Sequence, residues 1–202
     1  MPELKDGSVV AFFNYGTGTC LDLNEGYRHN GADVIGFNYH GGANQHWRLV
    51  RAQSSDPKVW PVWNLVNVMT GTAMTMKSRW PDHNTVVTCW EREQGEDQDQ
   101  MWHLITADAE ASIYMLHNAA STLFVNLWYG TTDCYDRSSI TGRKGGFNRE
   151  NAFQLWRMRI ISVPPRDGND MELDSHSIGA SSNKKRKMAP ETSISSSTMS
   201  ID

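Results

Sequence analysis

Three short phrases repeat the same pairing of an amide and an indole: Gln45-His46-Trp47, Gln100-Met101-Trp102 and Gln154-Leu155-Trp156. In a β-strand, residues i and i+2 face the same side, so each glutamine can turn inward together with its tryptophan. The tryptophan contributes buried area. The glutamine amide brings two donors and an acceptor, enough to hold a loop backbone that would otherwise be buried unpaired. Gln45, Trp47, Gln100, Trp102, Gln154 and Trp156 therefore read as scaffold, not as catalytic chemistry.

Other chemistry-bearing residues do not assemble into a reactive pattern. No Gly-rich phosphate loop and no Gly-x-Ser-x-Gly elbow occurs. The seven histidines lack ligand spacing, and Trp80-Pro81-Asp82-His83 resembles no metal site. Glu91, Glu93, Glu96, Asp97 and Asp99 crowd around Arg92 in a Gly- and Gln-containing stretch, which reads as a solvated loop before an acid/base pair. The expectation is no enzyme, no cofactor and no metal. Cys20, Cys89 and Cys134 are odd in number and far apart, so neither a disulfide framework nor a metal knuckle is suggested. The N-terminus carries no apolar signal-peptide core and no apolar run reaches membrane-spanning length. The net charge of -4 does not argue for a nucleic-acid surface on the folded part, which would usually be strongly basic. The expected setting is cytoplasmic, without a secretory signal, without nucleic acid as partner and without membrane insertion.

The elements that hold these residues recur with them. Trp47 and Trp102 stand 55 residues apart, and Trp102 and Trp156 stand 54 apart. Upstream of each lies an asparagine turn: Asn14-Tyr15-Gly16-Thr17-Gly18, Asn67-Val68-Met69-Thr70-Gly71 and Asn118-Ala119-Ala120-Ser121-Thr122. A β-type run precedes each turn, from Val9, Val62 and Ser112 respectively. A short apolar piece follows it: Cys20-Leu21-Asp22-Leu23, Ala73-Met74-Thr75-Met76 and Phe124-Val125-Asn126-Leu127. A third run follows at Val34–Phe37, Val86–Trp90 and Ser139–Gly142, and the fourth begins at Gln-x-Trp. Four short strands per repeat, with no helical periodicity between them, predict an all-β fold. The repeats span about 7–52, 58–107 and 111–161, within a domain of 1–162.

The Gln-x-Trp triplet, with each copy after a Leu-Asp-Leu-like strand, resembles the ricin-B-type lectins, and His40-Gly41-Gly42-Ala43-Asn44-Gln45-His46-Trp47 resembles their fungal branch. The resemblance covers about residues 7–162. It implies a β-trefoil, in which three four-stranded repeats surround a pseudo-threefold axis and close a small barrel without sheet edges. It implies a non-catalytic carbohydrate-binding protein for galactose or N-acetylgalactosamine-type glycans, and for the fungal members a cytoplasmic, defensive role. It also implies one sugar site per repeat: an acid on the second strand, an aromatic on the third, and an asparagine before Gln-x-Trp. A carboxylate accepts from two hydroxyls at once, a ring covers the apolar face of the sugar, and an amide both donates and accepts.

Counting from the turn asparagine, the acid position is Asp22, Thr75 and Asn126. The aromatic position is Phe37, Trp90 and, without a ring, about Arg143, unless Trp128 or Tyr129 substitutes. The position before Gln-x-Trp is Asn44, Asp99 and Phe153. Taken singly, Asp22 reads as a turn cap, Phe37 as core and Asn44 as a turn former; only the first repeat holds all three in register. The expected sugar contacts are Asp22, Phe37, Asn38, Asn44 and Gln45, with Gly36 admitting the sugar to the backbone. Tyr39 and His40 are rim candidates, and Asn24 a further one. A single shallow site predicts affinity near millimolar, about -4 kcal/mol, so strong binding would need an extended glycan, a second site or a homodimer.

Residues 163–202 form the expected tail, rich in serine, poor in aromatics and unable to bury enough apolar surface to fold. Lys184-Lys185-Arg186-Lys187 reads either as a nuclear import signal or as a solvated cluster. Two other readings stand beside the lectin. One is a protein-binding trefoil such as a protease inhibitor, working through the loop 131–148. The other is a nuclear adaptor in which the tail dominates.

Overall fold

A computed structural model describes residues 4–52, 61–77, 85–93, 95, 97–128, 137–145 and 151–165. They lie in one compact unit, Met1–Pro165. Outside the described residues are the tail with Lys184, Lys185, Arg186 and Lys187, the Trp80–His83 phrase, Glu96, Tyr129, Cys134 and both ends of the 131–148 loop.

The first repeat contributes β1 (Val9–Asn14), β2 (Cys20–Leu23), β3 (Ala32–Phe37) and β4 (Trp47–Arg51). The second contributes β5 (Val62–Asn67), β6 (Ala73–Thr75), a third strand broken at Val87 into β7 (Thr85–Val86) and β8 (Thr88–Trp90), and β9 (Trp102–Asp108). The third contributes β10 (Ile113–Asn118), β11 (Phe124–Leu127), β12 (Ser138–Arg143) and β13 (Trp156–Ser162). One 3-10 turn precedes each Gln-x-Trp strand: Ala43–Gln45, Gln98–Gln100 and Ala152–Gln154.

Six strands close on themselves, each antiparallel to the next: β1 with β4, β4 with β5, β5 with β9, β9 with β10, β10 with β13, and β13 back to β1. The hairpins β2–β3, β6–β8 and β11–β12 form a cap. They are tied to one another by β3–β8, β7–β12 and β3–β12 pairings. This is the all-β trefoil that the repeat pattern predicts.

The Gln-x-Trp residues hold it together at three equivalent points. Trp47, Trp102 and Trp156 are fully buried. Each indole N–H donates to a backbone carbonyl of the second strand of its repeat: Leu21 (3.0 Å), Met74 (2.9 Å) and Val125 (3.1 Å). Burying one such ring contributes roughly 4–6 kcal/mol as an upper figure. Gln45 Nε2 donates to the Asn38 carbonyl at 2.8 Å, while its Oε1 accepts from the amides of His40 (2.8 Å) and Gly41 (3.1 Å). Gln100 does the same with the Glu91 carbonyl and the Glu93 amide.

The turn asparagines join one repeat to the next. Asn14, Asn67 and Asn118 each accept from a backbone amide two residues on through Oδ1. Through Nδ2 they donate to the carbonyls of Phe153 (2.9 Å), Asn44 (2.9 Å) and Asp99 (3.0 Å), the residues just before Gln-x-Trp in the neighbouring repeat. Each turn closes with a residue in the left-handed region: Gly18 (φ 77°), Gly71 (φ 76°) and, without glycine, Thr122 (φ 60°).

Candidate functional site

The pairing of β2 with β3 sets the site. Asp22 stands opposite Ile35 and Cys20 opposite Phe37. Leu21 and Leu23 belong to the core, so alternation aims Asp22 the other way, into a cleft of about 300 Å³. Asn44 arrives from the 3-10 turn before Trp47. Its Nδ2 donates to Asp22 Oδ1 at 3.0 Å and to the Leu23 carbonyl at 3.3 Å. Its own carbonyl is held by Asn67 of the second repeat.

Asp22 is only 2% exposed, and its Oδ2 is buried without a hydrogen-bond partner. His40 Nε2 lies 3.6 Å from that oxygen, beyond hydrogen-bond length. Burial pushes the Asp22 carboxyl up to about 6, offset only in part by Gln45, His40 and Asn44. His40 is oriented by the Gly42 amide, which donates to its Nδ1 at 3.2 Å and so leaves the proton of the neutral ring on Nε2, toward Asp22. A Cβ on Gly42 would come within 2.5 Å of the His40 ring and 2.6 Å of Asn44 Oδ1, so a larger residue there would displace both side chains from their places at the cleft.

The Phe37 ring meets His40 edge-on, 6.0 Å between centroids. Asn24 and Ile35 complete the first-repeat wall. Three further lining residues were not expected from sequence. Glu25 follows Asn24 with its backbone in the left-handed region (φ 52°). Met69 reaches over from the second repeat; Gly26 (φ 65°) leaves it room, since a Cβ there would meet the Met69 sulfur at 2.5 Å. Arg137 comes from the third repeat, brought in by the Ser138–Gly36 pairing of β12 with β3. Its guanidinium lies 5.5 Å from the Phe37 ring centroid and bonds Glu25 Oε1 at 2.9 Å. No local pattern in the sequence signals Arg137 or Met69, because both arrive through contacts between repeats.

The structure brings Asp22, Phe37, Asn44, His40 and Asn24 to one cleft. It does not bring Gly36. Alternation turns Gly36 away from Phe37 and into the cap, where a Cβ would come within 2.5 Å of Leu127 Cδ1 and 3.0 Å of Thr19 Oγ1. Its lack of a side chain serves packing between repeats and not access of a sugar, which corrects the expectation. Asn38 and Gln45 do not line the cleft either. Gln45 is fully buried beneath it and fixes the 38–41 loop, to which Asn38 contributes its carbonyl. Tyr39 faces the opposite side of that loop, edge-on to Phe13 at 5.0 Å.

At the equivalent positions of the other repeats the described side chains make local contacts. Thr75 is fully buried and its hydroxyl donates to the Ala73 carbonyl; Lys77 Nζ sits 3.4 Å over the Trp90 ring. Asn126 Nδ2 donates to the Leu127 carbonyl, and Arg143 occupies the ring position opposite Phe124, while Trp128 is 42% exposed. Asp97 caps the 3-10 turn through the Asp99 amide, so part of the acidic stretch is structural. Among the described residues no group of three His, Cys, Asp or Glu could hold a metal ion. Cys20 and Cys89 are buried free thiols, each pushed up to about 12 by burial.

The sequence matches the family described as ricin-type beta-trefoil lectin domain-like over residues 3–90 and 43–137. No curated protein sequence matches significantly. Among solved structures, the Macrolepiota procera ricin B-like lectin in complex with lactose is 18% identical, with 77% of this chain and 97% of that one covered and a TM-score of 0.58. The Rhizoctonia solani agglutinin is 21% identical, with 78% and 98% covered and a TM-score of 0.60. The designed threefold-symmetric protein ThreeFoil is 24% identical, with 74% and 96% covered and a TM-score of 0.59. These likenesses share the threefold architecture seen here, and with the family match over more than half its length the chain belongs to the ricin-type β-trefoil lectin domain family.

Proposed function

We propose that the protein is a non-catalytic lectin that binds a terminal galactose or N-acetylgalactosamine residue in the first-repeat cleft. The observation that carries this reading is the Asp22 carboxylate, buried, held by Asn44 on one oxygen and unsatisfied on the other. A buried acceptor left open destabilises a fold by about 1–3 kcal/mol or more for a charge, and a pair of vicinal sugar hydroxyls is a fitting complement. Phe37 supplies the apolar face, with Asn44 and His40 as polar neighbours. The lactose complex of the Macrolepiota procera relative supports the galactose-type assignment. The Arg137–Glu25 pair borders the same cleft.

Isothermal titration of the full chain with methyl β-galactoside tests this. Binding near millimolar with one site per chain is expected, reduced by at least about tenfold in Phe37→Ala. An unchanged affinity in Phe37→Ala would remove the ring from the site.

A further inference from the structure

The barrel wall beside the first repeat carries a second cleft, of about 190 Å³, where β1 pairs with β13. Phe13 stands opposite Arg157 and Ala11 opposite Arg159. The two arginines are two residues apart on one strand, so they share a face, and both are exposed. Arg157 lies 5.8 Å from the Tyr15 ring centroid. Arg159 lies 4.5 Å from that of Phe13 and 5.5 Å from that of Tyr39. The ion pairs among the described residues are His40–Asp22 and Arg137–Glu25, so neither arginine of this cleft has a carboxylate partner among the described residues.

The fold does not require this set, and its own symmetry supplies two controls. Tyr15, Val68 and Ala119 occupy one equivalent position, each donating its amide to the carbonyl between Gln and Trp of the neighbouring repeat. The register makes Phe13, Val66 and His117 equivalent, as are Arg157, Arg48 and His103, and Arg159, Val50 and Ile105. The second wall thus carries Val66, Val68 and Val50 beside Arg48, with Arg92 at the position equivalent to Tyr39. The third carries His117, Ala119, His103 and Ile105. Two arginines beside three aromatic rings occur at only one of three places where the scaffold is the same.

Guanidinium groups without carboxylate partners match an oxyanion, bidentately and with geometric selectivity. The rings beside them match the apolar face of a sugar. The cleft is small, and two cations spaced by one strand repeat suit one anionic group; a nucleic-acid track would need a row of phosphate contacts. We propose that this cleft is a second binding site, which takes a single sulfate ester or carboxylate carried on a sugar ring. It stands independently of the Asp22 cleft, although the 38–41 loop separates the two, with Tyr39 on one side and His40 on the other.

The test is a ¹⁵N–¹H titration of the full chain with galactose 6-sulfate and with glucuronic acid, against galactose and inorganic sulfate as controls. Saturable shifts at Tyr15, Gly18 and Arg157–Arg159 with either ring-borne anion support the site, and which of the two acts assigns the anion. Binding there should be about tenfold tighter than that of inorganic sulfate, fall by about tenfold or more in Arg157→Gln/Arg159→Gln, and persist in Asp22→Asn. Inorganic sulfate binding equally well, shifts unchanged in the double arginine variant, loss in Asp22→Asn, or no shifts at all would each overturn the proposal. The rest of the spectrum reports whether each variant is folded.

Discussion

Asp22 is the residue at which stability and function part. A carboxyl raised to about 6 in the folded chain, from an ordinary 3.8, binds its proton more tightly folded than unfolded. Its effect on stability is therefore fully present as a penalty above about pH 6 and fades as pH falls toward 4. Asp22→Asn should raise the stability of the fold at pH 7.5 by up to about 3 kcal/mol, and by little at pH 4, as read from denaturant midpoints. The same variant should lose glycan binding. In the wild type, affinity for a galactoside should rise with pH through about 6, because only the ionised carboxylate accepts from two hydroxyls. A flat affinity profile from pH 4.5 to 7.5 would show that Asp22 does not contact the sugar. The acid, the ring and Asn44 were legible in the sequence because they sit in register with the repeat. The orientation of Gly36 was not, since a glycine beside a ring reads the same whether it opens toward a ligand or packs against Leu127.

The turns and hairpins carry the threefold plan, and they also show where it is strained. Gly18 and Gly71 close their turns in the left-handed region at no steric cost, whereas Thr122 does so as a β-branched residue. Thr122→Gly should stabilise the chain by about 1 kcal/mol, seen as a rise in Tm. Gln45→Ala should do the reverse: it strips partners from the Asn38 carbonyl and the His40 and Gly41 amides, at about 2–4 kcal/mol. It should also weaken sugar binding, because the 38–41 loop that presents His40 loses its anchor. Strand number and order could be read from the repeated turn, apolar run and Gln-x-Trp, each of which is local. The break of the second repeat's third strand at Val87 could not. There the amide bonds the Ile140 carbonyl of the third repeat, and no local pattern records a partner that distant.

In the molecule as a whole, a threefold scaffold carries an asymmetric set of clefts. Its three tryptophan anchors and three turn asparagines are equivalent, but among the described residues the buried carboxylate and the arginine–aromatic set each stand beside the first repeat. The first-repeat cleft also depends on the other two, through Met69 and Arg137, so an isolated repeat would not reproduce it. One galactose-type site per chain predicts weak binding to a monovalent sugar and a marked gain on densely displayed glycans only if chains associate. Size-exclusion chromatography beside the titration separates the two cases.

The central claim rests on one carboxylate, and one comparison tests it: titration of wild type and Asp22→Ala with lactose at pH 7.5, with circular dichroism to show that both are folded. Saturable binding of one lactose per wild-type chain, absent in a folded Asp22→Ala, is the predicted result. Equal lactose affinity in the two proteins, or none in a folded wild type, would contradict it.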